Sequence, residues 1–307
     1  MTPDKYTIAE SMLDVGDGHQ LYVHDWGNQA AQPILFLHGG PGGASQDHHK
    51  SNFDPTKQRV IFFDQRGCGR SLPLGSLEHN TTADLVEDIE KISVHLGLNT
   101  FTVTGGSWGS CLALAYSLAH PERVAALVLH GVFTGSRSEI DWLDSGKFRT
   151  FFPDVWEDYL KATPLASRNE PSKYHAAQIL GQDDETAKQS AYAYQRLEGS
   201  LVKLDDRFTM EPFETYDPMS IRIETHYLQH GCFMPDNFVL DNAARLNLPV
   251  WLVQGRYDMV CPPIAAYKLH NALPNSHLVW TINGHKAEHE AATVLRLLLQ
   301  QVGGGGA

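Results

Sequence analysis

Residues 101–109 are F-T-V-T-G-G-S-W-G, and this stretch decides the fold. Its first four residues are aromatic or β-branched, as in a short buried strand. After residue 109 the pattern turns helical until Pro121 ends it. Between strand and helix lies G-x-S-x-G, whose glycines give clearance for a sharp turn that exposes the hydroxyl of Ser107. The stretch therefore predicts a nucleophilic serine on a strained elbow between a strand and a helix.

Short apolar runs alternate with helical patterns on both sides of this elbow. P-I-L-F-L at residues 33–37 and R-V-I-F-F at residues 59–63 each predict a buried strand followed by a loop rich in glycine and polar residues. Before the elbow, four apolar residues fall on one face of a predicted helix: Leu85, Ile89, Ile92 and Leu96. This order predicts a mostly parallel sheet flanked by helices, with its sites at the carboxyl ends of the strands. Together with the serine elbow it predicts the α/β-hydrolase fold.

The middle of the chain differs in character from both ends. From about Thr134 to Asp236, tryptophan, tyrosine, charged residues and helical periodicity dominate, and no apolar strand run occurs. Strand patterns return near Val250 and His277, so the sheet domain is split around an inserted helical cap. The predicted division is a first core segment, a cap, a second core segment and a Gly-rich tail: residues 1–133, 134–236, 237–302 and 303–307.

Composition excludes several classes of function. A net charge of -12 over 307 residues argues against a nucleic-acid partner, which requires a basic face. The first ten residues lack a basic leader, and no run approaches the roughly 20 apolar residues of a membrane span, so we expect a cytoplasmic protein without membrane contact. The four cysteines have no C-x-x-C spacing and indicate neither a disulfide framework nor a zinc site. We expect no metal or organic cofactor, and no pattern indicates an oligomeric state.

A serine hydroxyl is a weak nucleophile, so it needs an imidazole to accept its proton and a carboxylate to orient that imidazole. Asp258 follows the strand pattern V-W-L-V-Q within G-R-Y-D, and His285 follows the next strand within N-G-H. Both therefore belong to loops at strand ends. Their order after Ser107, acid and then histidine, is the order of α/β-hydrolases. We predict a catalytic triad of these three residues.

Other acids and histidines compete for these roles. Asp236 and Asp241 are alternative acids, although neither follows a strand. His289, one helical turn after His285, is an alternative base or the second half of an i, i+4 metal pair. No H-E-x-x-H is present, which disfavours the metal pair.

The segment H-G-G-P-G-G after the first core strand predicts an oxyanion hole. A glycine-rich turn there can bring the amide of Gly40 near the serine, where it would act together with the amide of Trp108 at the start of the helix. We interpret His38 as a structural residue that holds this loop. We also expect Asp64 and Arg66 to fix their own turn. The phosphate-binding pattern G-x-x-x-x-G-K-[ST], an alternative for such a loop, is absent.

Taken together, H-G-G-P-G-G, D-Q-R-G-C-G-R-S, G-G-S-W-G-S and G-R-Y-D resemble the prolyl iminopeptidase family over nearly the whole chain. In that family a Ser, Asp and His triad removes an N-terminal proline from peptides, and two cap glutamates receive the free amino group. The resemblance implies those roles for Glu198, in L-E-G, and Glu224, in R-I-E-T-H-Y. It also implies that Phe133 and His130, in V-L-H-G-V-F, contact the substrate. The alternative for both glutamates is an exposed position on a cap helix.

Departures from the family pattern cluster where the substrate would lie. The family's W-S-x-W-E is Y-Q-R-L-E at residues 194–198, so both tryptophans are absent. His130 replaces an arginine, Leu143 replaces an aromatic residue, and Lys286 replaces the serine that usually follows the catalytic histidine. These changes alter the pocket and leave the chemistry in place.

The resemblance and the triad predict a serine aminopeptidase that releases an N-terminal proline, or another small residue, from short peptides through an acyl-enzyme. The first alternative is a carboxylesterase or amidase of the same fold, whose altered cap accepts small uncharged esters or amides. The second is a binding module that retains the fold without activity. Epoxide hydrolase or dehalogenase chemistry would require an aspartate in place of Ser107.

Overall fold

The computed structural model describes residues 4–204 and 208–303. Within these residues the chain forms one eight-stranded sheet and ten α-helices. The strands are β1 Thr7–Gly16, β2 His19–Gly27, β3 Pro33–Leu37, β4 Arg59–Phe63, β5 Phe101–Ser107, β6 Val124–Val132, β7 Val250–Gly255 and β8 Ser276–Thr281. The α-helices are α1 Thr82–His95, α2 Trp108–Ala119, α3 Arg137–Asp144, α4 Pro153–Ala162, α5 Pro171–Ile179, α6 Asp184–Val202, α7 Met219–Gln229, α8 Phe238–Asn242, α9 Pro263–Ala272 and α10 His289–Gly303.

The strand order across the sheet is β1-β2-β4-β3-β5-β6-β7-β8. Six strands, β3 to β8, are parallel to their neighbours within this group. The other two, β1 and β2, are antiparallel to their neighbours. This mostly parallel sheet confirms the predicted fold class. The carboxyl ends of β5, β6, β7 and β8 lie at one edge of the sheet, and loops from that edge carry the predicted site residues.

The β1–β2 hairpin is absent from the predicted elements. β1 is only partly buried and its apolar residues are sparse, so its pattern differs from that of the core strands. The turn that joins it to β2 has positive φ at three consecutive residues, Gly16, Asp17 and Gly18. Glycine adopts this conformation at little cost, and G-D-G was the signal that could have revealed the hairpin.

Helix α1 covers the sheet with the face that the sequence predicts. Leu85, Ile89 and Ile92 are buried. Thr81 caps the helix, because its hydroxyl accepts from the amide of Asp84 while the Asp84 carboxylate accepts from the amide of Thr81. Helix α2 is apolar on all sides and buried at all but its last residue, which fits its position behind the elbow.

Helices α3 to α7 lie between β6 and β7 in the chain, in the segment predicted to form a cap. No strand occurs in this segment among the residues that the structure describes. Residues 304–307 of the predicted Gly-rich tail lie outside the described residues, and Gly303 ends α10. Of the helices described, none combines the length and apolar character needed to cross a bilayer.

Candidate active site

Ser107 lies on a strained elbow between β5 and α2, with φ of 56° and ψ of -129°. A non-glycine residue rarely adopts this conformation unless its surroundings impose it. The flanking glycines are required by close contacts. A Cβ atom at Gly105 would lie 2.7 Å from the carbonyl carbon of Gly109, and one at Gly109 would lie 2.2 Å from the carbonyl oxygen of Leu37. The G-x-S-x-G spacing is therefore a steric requirement of this turn.

Asp258 and His285, from the loops after β7 and β8, form a hydrogen bond. The Nδ1 atom of His285 lies 2.9 Å from Oδ2 of Asp258. The other carboxylate oxygen accepts from the amides of Val260, at 3.0 Å, and Cys261, at 2.8 Å. With Nδ1 donating to the carboxylate, Nε2 of His285 is left as the proton acceptor, which is the tautomer that a general base needs.

Gln254, the polar residue at the end of the V-W-L-V-Q run, supports this pair. Its side chain is fully buried, and its Nε2 donates to Oδ2 of Asp258 at 3.1 Å. Its Oε1 accepts from the amide of Val132, at 2.8 Å. Gln254 therefore ties the acid to the end of β6. Sequence reasoning missed this residue, although a glutamine in an apolar strand was a visible signal.

The imidazole of His285 lies beside the carboxyl ends of β5 and β6. A Cβ atom at Gly131 would be 3.1 Å from its Cε1, and the next residue, Val132, pairs with Ser107 across the two strands. The hydroxyl oxygen of Ser107 lies 4.0 Å from the sulfur of Cys261. Ser107 and His285, both in the described part of the chain, do not form a hydrogen bond. Catalytic hydrogen bonds are often long without substrate and tighten when it binds.

The pKa of His285 reflects opposing effects. Burial lowers it, but the charge and hydrogen bond of Asp258, together with the charge of Glu198, outweigh burial and raise the pKa above its usual value. The raised basicity suits a proton acceptor that must later hold the proton beside a carboxylate.

The glycine loop after β3 packs directly on the elbow. A Cβ atom at Gly39 would lie 3.4 Å from Cβ of Ser107. The next residue, Gly40, has φ of 117° and lines the same cavity as Ser107. Its amide donates to no other group among the described residues. Trp108 begins α2, so its amide lacks an acceptor within the helix. Both predicted oxyanion donors therefore belong to segments next to the nucleophile.

His38 holds this loop, as its interpretation as a structural residue predicts. Its Nδ1 donates to the carbonyl of Gly39 at 2.9 Å, and its Nε2 accepts from the amide of Gln65 at 3.0 Å. The Gln65 side chain in turn donates to the carbonyl of His38 and accepts from the indole of Trp108. Burial lowers the pKa of His38, so the ring stays neutral in this role.

The turn after β4 agrees only in part with its prediction. Asp64 accepts from the side chain of Arg70 in the same turn, at 2.8 Å. Arg66 instead forms a bidentate pair with Asp88 of α1, at 2.7 and 2.8 Å, and both side chains are fully buried. The expectation that Arg66 fixes its own turn was wrong, because its long side chain reaches the covering helix.

A cavity lies over Ser107 between the sheet edge and helices α3, α6 and α7. Gly40 lines it, and so do Phe133, Glu198 and Glu224, three of the substrate-binding residues that the resemblance implies. Further lining residues that sequence reasoning did not select are Glu139, Asp144, Tyr194 and Cys261.

Glu198 of α6 and Glu224 of α7 face each other in this cavity. Burial and the negative charge of Glu198 raise the pKa of Glu224 well above its usual range. The hydroxyl of Tyr194 donates to Oε1 of Glu224 at 3.1 Å. Two adjacent carboxyl groups that cannot both ionise easily share one proton until a cation joins them. The pair is thus suited to an ammonium ligand.

His130 does not line the cavity. It packs under the elbow strand, where a Cβ atom at Gly106 would lie 2.1 Å from its Nε2. Burial, and then the charge of His285, lower its pKa to about 4, so the ring is neutral. Its Nδ1 is buried without a partner among the described residues. The structure therefore places His130 beside the base rather than beside the glutamate pair.

The alternative acids and base do not line the cavity over Ser107. Asp236 is exposed and accepts from the amide of Arg137 at 2.8 Å. Asp241 lies in the short helix α8, and His289 is exposed at the start of α10. Glu139 is a helix cap, since it accepts from the amides of Thr134 and Ser136. The S-x-x-E pattern before α3 was the signal for this cap.

Comparison with known proteins gives relatives over nearly the full length. The family model for the alpha/beta hydrolase fold matches residues 32–290. A probable proline iminopeptidase from Leptolyngbya boryana is 40% identical over 295 residues, covering 94% of this chain and 91% of that protein. The proline iminopeptidase of Xylella fastidiosa (strain Temecula1) is 40% identical and covers 93% of each chain. That of Arabidopsis thaliana is 39% identical and covers 90% of this chain and 74% of its own.

Solved structures share the fold at lower identity. A proline iminopeptidase from Mycobacterium smegmatis has a TM-score of 0.61 at 21% identity, covering 95% of this chain and 97% of its own. An esterase from Exiguobacterium antarcticum has a TM-score of 0.66 at 20% identity, covering 96% and 99%. The fold is thus shared with hydrolases of several specificities. The three sequence relatives above, in contrast, are all proline iminopeptidases. On the strength of those relatives, the chain belongs to the proline iminopeptidase family of α/β-hydrolases.

Proposed function

We propose that this protein is a serine aminopeptidase that releases an N-terminal residue, preferably proline, from short peptides. Family membership supports a peptidase with a serine nucleophile. Short peptides with a free amino group are the proposed substrates. The four free cysteines, all buried, fit the reducing cytoplasm that we propose as its compartment.

In the proposed mechanism, Ser107 attacks the carbonyl carbon of the scissile bond as Nε2 of His285 takes its proton. Asp258 holds the imidazole through Nδ1 and stabilises the imidazolium that forms. The amides of Gly40 and Trp108 bind the developing oxyanion. His285 then returns the proton to the leaving amine, and water hydrolyses the acyl-enzyme in a second attack aided by the same base.

The observation that carries the proposal is the glutamate pair. Glu198 and Glu224 lie in the same cavity as Ser107, and no lysine, arginine or histidine lines that cavity among the described residues. Burying two carboxyl groups without a cation is costly, so the cavity is unfavourable for an uncharged acyl group and favourable for an ammonium group. The same feature disfavours the carboxylesterase and amidase alternative.

The test compares prolyl p-nitroanilide with its N-acetylated form and with a short-chain aryl ester. We expect wild-type enzyme to hydrolyse the free-amine anilide at least 100-fold faster than the acetylated one, because buried charge-assisted hydrogen bonds are strong. Glu224→Gln should lose most of this preference. Glu185→Gln, an exposed acid on α6, is the matched control and should keep it. Equal rates with and without the amine would contradict the proposal.

A further inference from the structure

Asp144, the last residue of α3, adds another carboxyl group to the cavity over Ser107. It also lines a smaller cavity beyond it, together with Ser172 and Thr225. Tyr194 lines both cavities. The two spaces therefore adjoin at Asp144 and Tyr194, and the hydroxyl of Tyr194 bonds to Glu224. A substrate group beside the glutamate pair would have Asp144 within the same pocket.

Asp144 has no cationic partner. Within the described part of the chain it forms no salt bridge, and no cationic side chain lines either cavity. Arg137, on the same helix, is the cation whose charge reaches it, but the guanidinium of Arg137 is paired with Asp141 at 3.0 Å. The remaining acid of the cavity, Glu139, is satisfied by its capping hydrogen bonds.

A phenol lies near Asp144 but outside the two cavities. The side chain of Tyr159, from α4, is buried and lines neither cavity. Burial, and more weakly the charge of Asp144, raise the pKa of that phenol, so it stays neutral. For Asp144 itself, burial raises the pKa to about 6, opposed in part by the charge of Arg137 and by a hydrogen bond from Ser172. Near neutral pH its carboxyl group is therefore mostly ionised and has no cationic partner among the described residues, a state that a bound cation would stabilise.

We propose that Asp144 is a specificity-determining residue that binds a second ammonium group, carried on the side chain of the substrate's N-terminal residue. The inference rests on the proposed aminopeptidase function, in which Glu198 and Glu224 bind the α-amine. Lysine and ornithine have the required chemistry. The enzyme thus accepts diamino acids at the N-terminus in addition to proline.

The test measures kcat/KM for lysyl and norleucyl p-nitroanilides, which differ by the side-chain ammonium group. We expect the lysyl-to-norleucyl ratio to fall about tenfold or more in Asp144→Asn, as for loss of a charge-assisted hydrogen bond. Glu185→Gln is the control, because Glu185 is an exposed acid on α6 that lines neither cavity. It should keep the wild-type ratio.

A second measurement needs no variant. The lysyl-to-norleucyl ratio of the wild type should rise between about pH 5 and pH 8, because Asp144 ionises across this range. The charged and titratable groups around Asp144 come from four helices. They are Arg137, Glu139 and Asp141 on its own helix, Tyr159 of α4, Tyr194 and Glu198 of α6, and Glu224 of α7. Burial raises the pKa of both tyrosines, so both stay neutral over this range. His285 and the glutamate pair act on both substrates, so their titration cancels in the ratio.

Each outcome decides between the two proposals. An unchanged ratio in Asp144→Asn, or a ratio that is flat with pH, overturns the role of Asp144. Turnover of prolyl anilide without any turnover of lysyl anilide overturns it as well and leaves the proposed function standing. If no free-amine anilide is hydrolysed while aryl esters are, the aminopeptidase function fails together with the inference.

Discussion

At the scale of single residues, the site depends on a few side chains whose surroundings change their chemistry. Ser107 has a backbone conformation that only its glycine-flanked turn can hold. His285 is buried, yet the neighbouring carboxylate of Asp258 keeps it basic. Glu224 is buried next to another acid and resists ionisation. In each case backbone strain or the burial of an ionisable group is unfavourable for folding, but it produces the reactivity or the pKa that catalysis would use.

The raised pKa of His285 predicts the acid limb of the pH profile. Only the neutral ring can accept the proton of Ser107, so kcat/KM should fall as pH drops through the pKa of the folded enzyme. Because Asp258 raises that pKa, the midpoint should lie above about 6.5, the usual value for histidine. An aryl ester without an amine is the proper substrate, since its rate is independent of substrate ionisation. A midpoint below about 6 would contradict the assignment of His285 as the base.

At the scale of elements, the strands and helices that the sequence predicts lie where apolar periodicity is strong. The predicted face of α1 is buried, and the core strands β3, β4 and β5 lie at the predicted positions. The β1–β2 hairpin was missed because β1 is an edge strand with little buried surface. The link between the β4 turn and α1 was also missed, because the partner of Arg66 lies 22 residues further on, at Asp88.

This link between Arg66 and Asp88 should contribute strongly to stability. Asp88→Ala removes the bidentate partner of the buried Arg66 guanidinium and leaves it the carbonyl of His79 and the more distant carboxylates of Asp17 and Asp84. This loss should lower the free energy of unfolding by about 3 kcal/mol. Asp141→Ala, which breaks an exposed pair with Arg137, should cost less than about 1 kcal/mol. Urea unfolding followed by circular dichroism measures both. Similar values for the two variants would show that the buried pair is not specially important.

At the scale of the whole molecule, the parallel sheet brings distant segments to one edge. Ser107 ends β5, Asp258 follows β7 and His285 follows β8. The first and the last are 178 positions apart in the sequence, yet their strands lie within one sheet. Helices α3, α6 and α7 close the space above that edge and supply its acids. The resulting pocket is acidic, which favours a cationic ligand and makes the buried carboxyl groups costly to ionise without one.

The burial of Glu224 beside another acid predicts how the stability of the folded protein changes with pH. The pKa of Glu224 is raised in the folded state, so the folded chain holds a proton that the unfolded chain releases, and stability falls as pH rises above the unfolded value near 4.3. Glu224→Gln mimics the protonated form. It should therefore raise Tm by about 2 °C or more at pH 8, with a smaller gain near pH 5.

Differential scanning calorimetry at both pH values, with the exposed Glu185→Gln as control, tests this expectation. The control should show no gain that grows with pH. A Glu224→Gln variant less stable than wild type at pH 8 would mean that the carboxyl group is ionised and stabilised in the empty pocket.

The sequence by itself determined the fold class, the elbow at Ser107 and the candidates Asp258 and His285, because strand patterns and glycine turns are local signals that position residues at strand ends. Only the tertiary structure decided which side chains meet across elements. In the structure Gln254 donates to Asp258, His130 packs under the elbow strand away from the glutamate pair, and Asp144 lines the pocket. Such contacts depend on helix packing and side-chain direction, which no periodicity along the chain records.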